Sequence, residues 1–150
     1  MKALLSRVIL PLLCFVATAC WSQDVASSSL LSQLRAYSDS FEWDPSTTSY
    51  VLRRPEAIEA IVAAHYARRH TTLDDLVDCI SDESPSHVLL KDSPVVLGVV
   101  CYEGLTKLIY FEPGSSRWLG YVDANANHEQ LLAAQKAWRR VLRKREYTNL

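Results

Sequence analysis

The chain has 150 residues, of which 49% are hydrophobic, so it is long enough for one domain with a buried core. Its formal net charge of −1 at pH 7 argues against a nucleic-acid-binding protein. It contains no glycine-rich phosphate loop, no G-x-S-x-G nucleophile motif and no H-E-x-x-H zinc motif. We therefore expect a protein that is not an enzyme and that needs no metal or cofactor.

The first nineteen residues have the pattern of a secretory signal peptide. Lys2 and Arg7 supply the positive start, and residues 8–16 form an uncharged apolar stretch that is too short to span a bilayer comfortably. Residues 17–19 read Ala-Thr-Ala, the small-residue pattern that precedes a cleavage site. Removing Lys2 and Arg7 with this leader changes the net charge from −1 to −3.

The residue after the expected cleavage site is Cys20, and the run Val16 to Cys20 resembles a bacterial lipobox. The resemblance implies that Cys20 is lipidated and that residues 20–29, which are polar and Ser-rich, tether the domain to the outer membrane. The run departs from the commonest lipobox because Ala17 stands where Leu is usual. Without lipid, the protein would be soluble in the periplasm or secreted, and Cys20 would be an unpaired thiol.

Two cysteines, Cys79 and Cys101, remain in the expected domain. In an exported protein such a pair usually forms a disulfide, and closing a loop of about 22 residues stabilises a fold by roughly 3 kcal/mol. Their spacing matches no zinc site. The alternative is a small enzyme that uses His65 with Glu103 or with a catalytic thiol at Cys101.

Residues 30–150 are expected to form a single, mainly α domain, a small bundle of about five helices. A short first helix would bury Leu30 and Leu34, and 39–49 would be a loop that tucks Phe41 and Trp43 onto the core. A second helix should start at Pro55, because apolar residues then recur with helical spacing at Ile58, Ile61, Val62, His65 and Tyr66.

A third helix is expected from Thr72, capped by its hydroxyl and by Asp75. It would carry Cys79 next to the bundle core and an acidic outer surface, which makes the following residues candidates for contact with a partner: Asp74, Asp75, Asp78, Asp82 and Glu83. Residues 84–91 would be a linker.

The most apolar stretch of the expected domain, about 94–111, is expected to be the central helix. Ser93 is a suitable N-cap and Pro94 suits the first helical position. The second half is amphipathic with helical spacing, and Pro113-Gly114 is a stop signal. Because β-branched residues favour strands, a strand remains the alternative for residues 94–102. Gly98 and Gly104 indicate close packing against a neighbour, with ligand approach as the alternative.

The last part of the chain combines aromatic residues with a basic helix. Trp118 and Tyr121 are expected either to cover the core or to form a binding patch. Asn127 and Gln130 form a capping box for a final helix, which would bury Leu131, Ala134, Trp138 and Leu142 and would end in a cluster of Lys and Arg.

Residues 131–139 of that helix, Leu-Leu-Ala-Ala-Gln-Lys-Ala-Trp-Arg, resemble a segment of the LprI-type lysozyme-inhibitor lipoproteins. The cysteine that follows this segment in the family is absent here, as is the family's upstream pattern. In outline the chain is also similar to small periplasmic immunity proteins. These resemblances imply an exported protein that blocks a cell-wall-directed enzyme or toxin. The alternative is a structural or accessory lipoprotein of an envelope assembly.

Overall fold

The computed structural model describes residues 30–68, 71–110 and 119–149, and these form an α/β fold. The prediction of a mainly α bundle is therefore wrong, because a four-stranded mixed sheet makes up one layer of the domain. The expected signal peptide, the expected tether with Cys20, and Trp118 lie outside the described residues.

Helices and strands alternate irregularly along the chain. The helices are 30–36 (α1), Pro55–Tyr66 (α2), Thr72–Cys79 (α3), Leu97–Thr106 (α4) and His128–Lys144 (α5). The strands are Ser38–Asp44 (β1), Ser49–Leu52 (β2), Pro85–Leu90 (β3), Ser93–Val96 (β4), Ile109–Tyr110 (β5) and Thr148–Asn149 (β6).

The main sheet has the strand order β2-β1-β3-β4. The central strands β1 and β3 are parallel, with Ser38 opposite His87 and Phe41 opposite Leu90. β2 pairs antiparallel with β1, and β4 pairs antiparallel with β3. A separate antiparallel pair joins β5 to β6. Parallel strands must be joined by a long crossover, and here the segment between β1 and β3 contains β2, α2 and α3.

Only one face of the main sheet is buried. Its inward side chains include Phe41, Leu52, Val88 and Leu90, which belong to one core with the helices. On the other face Val51 and Leu89 are each 38% exposed. The domain therefore has two layers, with the helices on one side of the sheet.

The predicted central helix is partly correct. Residues 93–96 form the edge strand β4, and α4 starts only at Leu97. The helix also ends at Thr106 and not near 111, because Ile109 and Tyr110 form strand β5. Lys91 and Asp92 both have positive φ, as the two central residues of a type I′ hairpin turn require, so the chain turns back into β4 before it becomes helical. Pro94 is tolerated because the strand is at an edge. α4 is central as expected, since eight of its ten residues are buried.

Two segments that were expected to be irregular are the central strands. The predicted loop 39–49 contains most of β1, in which Phe41 is buried but Trp43 is 55% exposed. The predicted linker 84–91 contains β3. Trp43, which was expected to pack onto the core, packs against Tyr50 on β2, with ring centroids 5.3 Å apart.

The helices with strong local signals are where the sequence predicts them. α2 starts at Pro55, and α5 has Asn127 as its N-cap in a complete capping box with Gln130. On α5, Val141 is buried, whereas Leu142 is only partly buried. α3 also forms, but its N-cap is Thr71 and no side chain caps it.

Both predicted close-packing glycines are confirmed. A Cβ atom at Gly98 would lie 2.1 Å from the carbonyl oxygen of Ile80, and one at Gly104 would lie 3.0 Å from Val62. The Gly98 N–H donates to the carbonyl of Asp82, so the start of α4 rests directly on the turn that follows α3.

Candidate protein-binding surface

The predicted disulfide joins α3 to α4. Cys79 and Cys101 are bonded, with Cα atoms 5.9 Å apart, and both residues are buried in the core. The bond holds the acidic helix α3 against the central helix α4. Because Cys101 is bonded, it has no thiol that could act as the nucleophile in the alternative enzyme hypothesis. The other two residues of that hypothesis lie on different helices, His65 buried on α2 and Glu103 on α4.

Several of the predicted acidic contact residues make contacts within the domain. Asp78 accepts hydrogen bonds from Arg139 of α5 at 2.8 and 3.2 Å. Asp82 is paired with Arg35 at 3.0 Å, and Glu83 lies 2.8 Å from Nδ1 of His128. These contacts link α3 and its following turn to α1 and α5. They reduce the acidic character expected of this surface.

Asp82 also organises the turn after α3. Burial alone would raise the pKa of its carboxyl, but hydrogen bonds from the side chain and backbone of Ser84 and from Arg35 outweigh it, so the pKa is lowered. Since the backbone carbonyl of Asp82 also accepts a hydrogen bond from the N–H of Gly98, we assign Asp82 a structural role.

The remaining predicted acidic residues, Asp74 and Asp75, lie in the first turn of α3. Asp74 is exposed and lines an open groove of about 690 Å³ between α3 and α5. The basic residues of α5 form much of the opposite side of this groove: Lys136, Arg139 and Arg143. The surface is thus mixed in charge.

Tyr121 lies in a segment without regular secondary structure, 119–122, in which exposed and buried residues alternate. Leu119 is 65% exposed and Tyr121 is 58% exposed, whereas Val122 is 2% exposed. The carbonyl of Gly120 accepts a 2.6 Å hydrogen bond from the indole N–H of Trp138 on α5. The backbone is therefore fixed at Gly120 by the hydrogen bond and at Val122 by burial, and the side chains of Leu119 and Tyr121 point to solvent. We call Leu119 and Tyr121 the Leu119–Tyr121 surface.

An aromatic cluster supports this surface from below. The ring of Tyr102 on α4 lies edge-to-face with those of Tyr121 and Trp138, at centroid distances of 6.3 and 6.4 Å. Burial, Asp123 and Glu103 together raise the pKa of Tyr121, so its phenol is neutral at physiological pH.

The pKa of the Glu103 carboxyl is raised to about 6. The cause is burial, which penalises the charged form, and the cation of Lys107 offsets only part of this effect. The charge of Glu103 contributes to raising the pKa of both Tyr102 and Tyr121.

The structure also reveals polar residues that the sequence did not single out. Asp39 is buried and accepts hydrogen bonds from the Tyr37 hydroxyl and from the backbone N–H groups of Ser40 and Arg54. Gln135 is buried on α5, and its amide donates to the carbonyls of Val77 and Asp78 at the end of α3. All their polar contacts are within the domain, so these residues stabilise the fold.

Leu119 is the exposed apolar residue of the candidate surface that the sequence analysis did not single out. Leu119 is exposed because exposed and buried positions alternate over residues 119–122, where Val122 is buried. A four-residue alternation is too short to be recognised as a pattern in the sequence alone.

Across the described ranges no group of three or more His, Cys, Asp and Glu side chains could hold a metal ion. None of the helices described here is both long enough and apolar enough to cross a membrane.

Comparison with protein-family models, with curated proteins and with solved structures gives no match for this chain. The resemblance of residues 131–139 to the LprI-type inhibitors therefore stays a prediction.

Proposed function

We propose that this protein is an exported binding protein of the bacterial envelope, which blocks a cell-wall-directed enzyme or toxin by inserting the Leu119–Tyr121 surface into its cleft. The proposal includes the leader at 1–19 and a lipid anchor at Cys20. The disulfide between Cys79 and Cys101 supports export, because such bonds persist mainly in oxidising compartments.

The observation that carries the proposal is the construction of the Leu119–Tyr121 surface. Two exposed apolar side chains stand on a backbone that is fixed by the Trp138–Gly120 hydrogen bond and by buried Val122. A preorganised aromatic anchor is favourable for binding, because little conformational entropy is lost when a partner covers it. Tyr121 is well suited to this role, since its ring is already positioned by Tyr102.

The test is an inhibition assay on purified wall hydrolases, including a c-type lysozyme, and on the product of the adjacent gene. Clearing of a peptidoglycan suspension would be followed with increasing amounts of the purified protein. We expect saturable inhibition of at least one enzyme. The double variant Leu119→Ala/Tyr121→Ala should weaken this inhibition by about 30-fold, the effect of losing a hot spot worth about 2 kcal/mol.

The matched control is Val51→Thr/Leu89→Thr, which removes exposed apolar side chains from the open face of the sheet. It should inhibit as well as the wild type. Failure of every enzyme to be inhibited, or equal loss in both double variants, would contradict the proposal. Co-fractionation with a large membrane complex and no inhibition would instead favour the accessory-lipoprotein alternative.

A further inference from the structure

The outward side of α5 carries a dense group of positive charges. Five cations are exposed within nine residues of this helix: Lys136, Arg139, Arg140, Arg143 and Lys144. At about 100° per residue they fall within an arc of about 140°, whose centre lies about 170° from the centre of the buried side of α5. These cations therefore form one convex face, about 12 Å long, that points away from the core. We call it the basic face of α5.

The structure of the domain does not account for this charge. Arg143 and Lys144 lie in the last turn and interact favourably with the helix dipole, but that effect falls off within one turn and does not reach Lys136. The side chains of Lys136, Arg140 and Arg143 make no ion pair or hydrogen bond within the described part of the chain. Three pairs of these cations are four residues apart, and like charges at that spacing destabilise a helix. A face that costs stability without compensation inside the domain is expected to meet an anionic ligand.

Neighbouring carboxylates neutralise only part of the basic face. Arg139 is paired with Asp78 at 2.8 Å, and Lys144 lies 3.6 Å from Glu146. Asp74 of α3 lines the groove at one edge of the face. Its single negative charge is smaller than the charge of the three cations that have no partner among the described residues, so the face stays positive.

We propose that the basic face of α5 binds the anionic headgroups of a phospholipid bilayer. Because the face is convex, its cations can approach a flat negative surface together. Leu132 is 43% exposed and falls within the same arc, about one turn before Lys136, where it can insert among the headgroups. Glu129 also lies on this side, but it is about 10 Å from Lys136 along the helix axis, at the far end of the face.

The shape and composition of the face favour a bilayer over an acidic protein. The arc contains no aromatic side chain of the kind that anchors protein interfaces, and it forms a ridge instead of a pocket. A continuous layer of headgroups needs no matching pattern of side chains, since each Lys or Arg near the surface contributes separately. The lipid anchor proposed at Cys20 would bring the domain to such a surface, and the basic face would orient it there.

The test measures binding of the purified protein to sedimented vesicles. Cys20→Ser removes the proposed lipid site, so that only the contact with headgroups is measured. Vesicles of equal parts phosphatidylglycerol and phosphatidylcholine should bind the protein at low salt, and vesicles of phosphatidylcholine alone should not. Binding should be lost as the salt concentration rises, because salt screens exposed charges.

Lys136→Gln/Arg140→Gln/Arg143→Gln, in the same background, should weaken binding by about 100-fold, or about fivefold for each cation removed. Glutamine is a good helix former and the substitutions relieve like-charge repulsion, so the Tm of this variant should not fall. The matched control is Arg53→Gln/Arg68→Gln/Lys91→Gln, which removes the same charge from exposed positions on other elements. It should weaken binding by no more than about threefold through net charge.

Equal binding to both vesicle compositions, no binding at low salt, or equal loss in the two triple variants would overturn the inference. It would also be overturned if the three cations were needed for binding to polyglutamate while the vesicles were not bound, since the face would then fit an acidic protein. Neither Leu119 nor Tyr121 enters this assay, so its failure is distinguishable from failure of the inhibition test.

Discussion

Removing the disulfide between Cys79 and Cys101 should cost a large part of the stability of this domain. The bond closes a loop with a sequence separation of 22 residues, for which chain entropy gives roughly 3 kcal/mol. For a domain of this size that loss corresponds to a fall in Tm of roughly 10 °C. Because both cysteines are buried, the cross-link acts where α3 packs on α4 and not at a frayed end.

The measurement is urea unfolding of the oxidised wild type, of the wild type in reductant, and of Cys79→Ala/Cys101→Ala. Reduction should lower the free energy of unfolding of the wild type by about 3 kcal/mol. The double variant should be at least as unstable as the reduced wild type, and reductant should not affect it further. Equal midpoints for oxidised and reduced wild type would refute this reasoning, as would two alkylatable thiols in the exported protein.

Three further substitutions test the packing of the fold. Asp39→Asn should lower the free energy of unfolding at pH 7 by roughly 3 kcal/mol in urea titrations, because a buried anion with three donors is replaced by an amide; the control Glu42→Gln, at an exposed position of the same strand, should cost much less. Burial opposes ionisation of Asp39, but its hydrogen bonds prevail and lower its pKa, so its contribution is present above the unfolded pKa near 3.8 and is lost as the pH falls through the folded pKa. Glu103→Gln should instead raise the free energy of unfolding at pH 8 by about 1–2 kcal/mol, because the folded pKa of about 6 exceeds the ordinary value of 4.5. The wild type should lose this stability as the pH rises from 4.5 through about 6, and an unchanged pH profile in the variant would contradict the assignment. Gly98→Ala should lower Tm by several degrees or prevent folding, since its Cβ would clash with the Ile80 carbonyl; a wild-type Tm by calorimetry would show that the contact is looser than described.

The elements that sequence reasoning predicted correctly are those with local signals. Pro55 begins α2 and the Asn127–Gln130 capping box begins α5. The disulfide was predictable because the expected export and the presence of two cysteines in the expected domain leave few alternatives. Each of these inferences depends on residues that are near one another in the chain or that have few possible partners.

The strands were missed for two physical reasons. β1 and β3 pair in parallel and are far apart in the sequence, so no short hairpin turn connects them and no turn residues predict the pairing. Each strand also buries a polar side chain where alternation requires an apolar one. In β1 this residue is Asp39, and in β3 it is Ser86, whose hydroxyl donates to the carbonyl of Val95. The partners that satisfy these groups come from elsewhere in the chain, and they are visible only in the folded structure.

The candidate surface was predictable in part. Tyr121 was expected to cover the core or to bind, and the structure places it 58% exposed beside Leu119. The acidic surface was not predictable from α3 alone, because Arg139, Arg35 and His128 pair with its carboxylates from distant segments.

Site-specific photocrosslinking at position 121 in living cells tests the proposed function most directly. A photoreactive phenylalanine analogue would replace Tyr121, and the same analogue at Val51 on the sheet would serve as the control. The account predicts a crosslink from position 121, and none from position 51, to a wall-directed enzyme or toxin that the protein inhibits. Crosslinks of equal yield from both positions, or an adduct from position 121 only to proteins of a structural envelope complex, would contradict it.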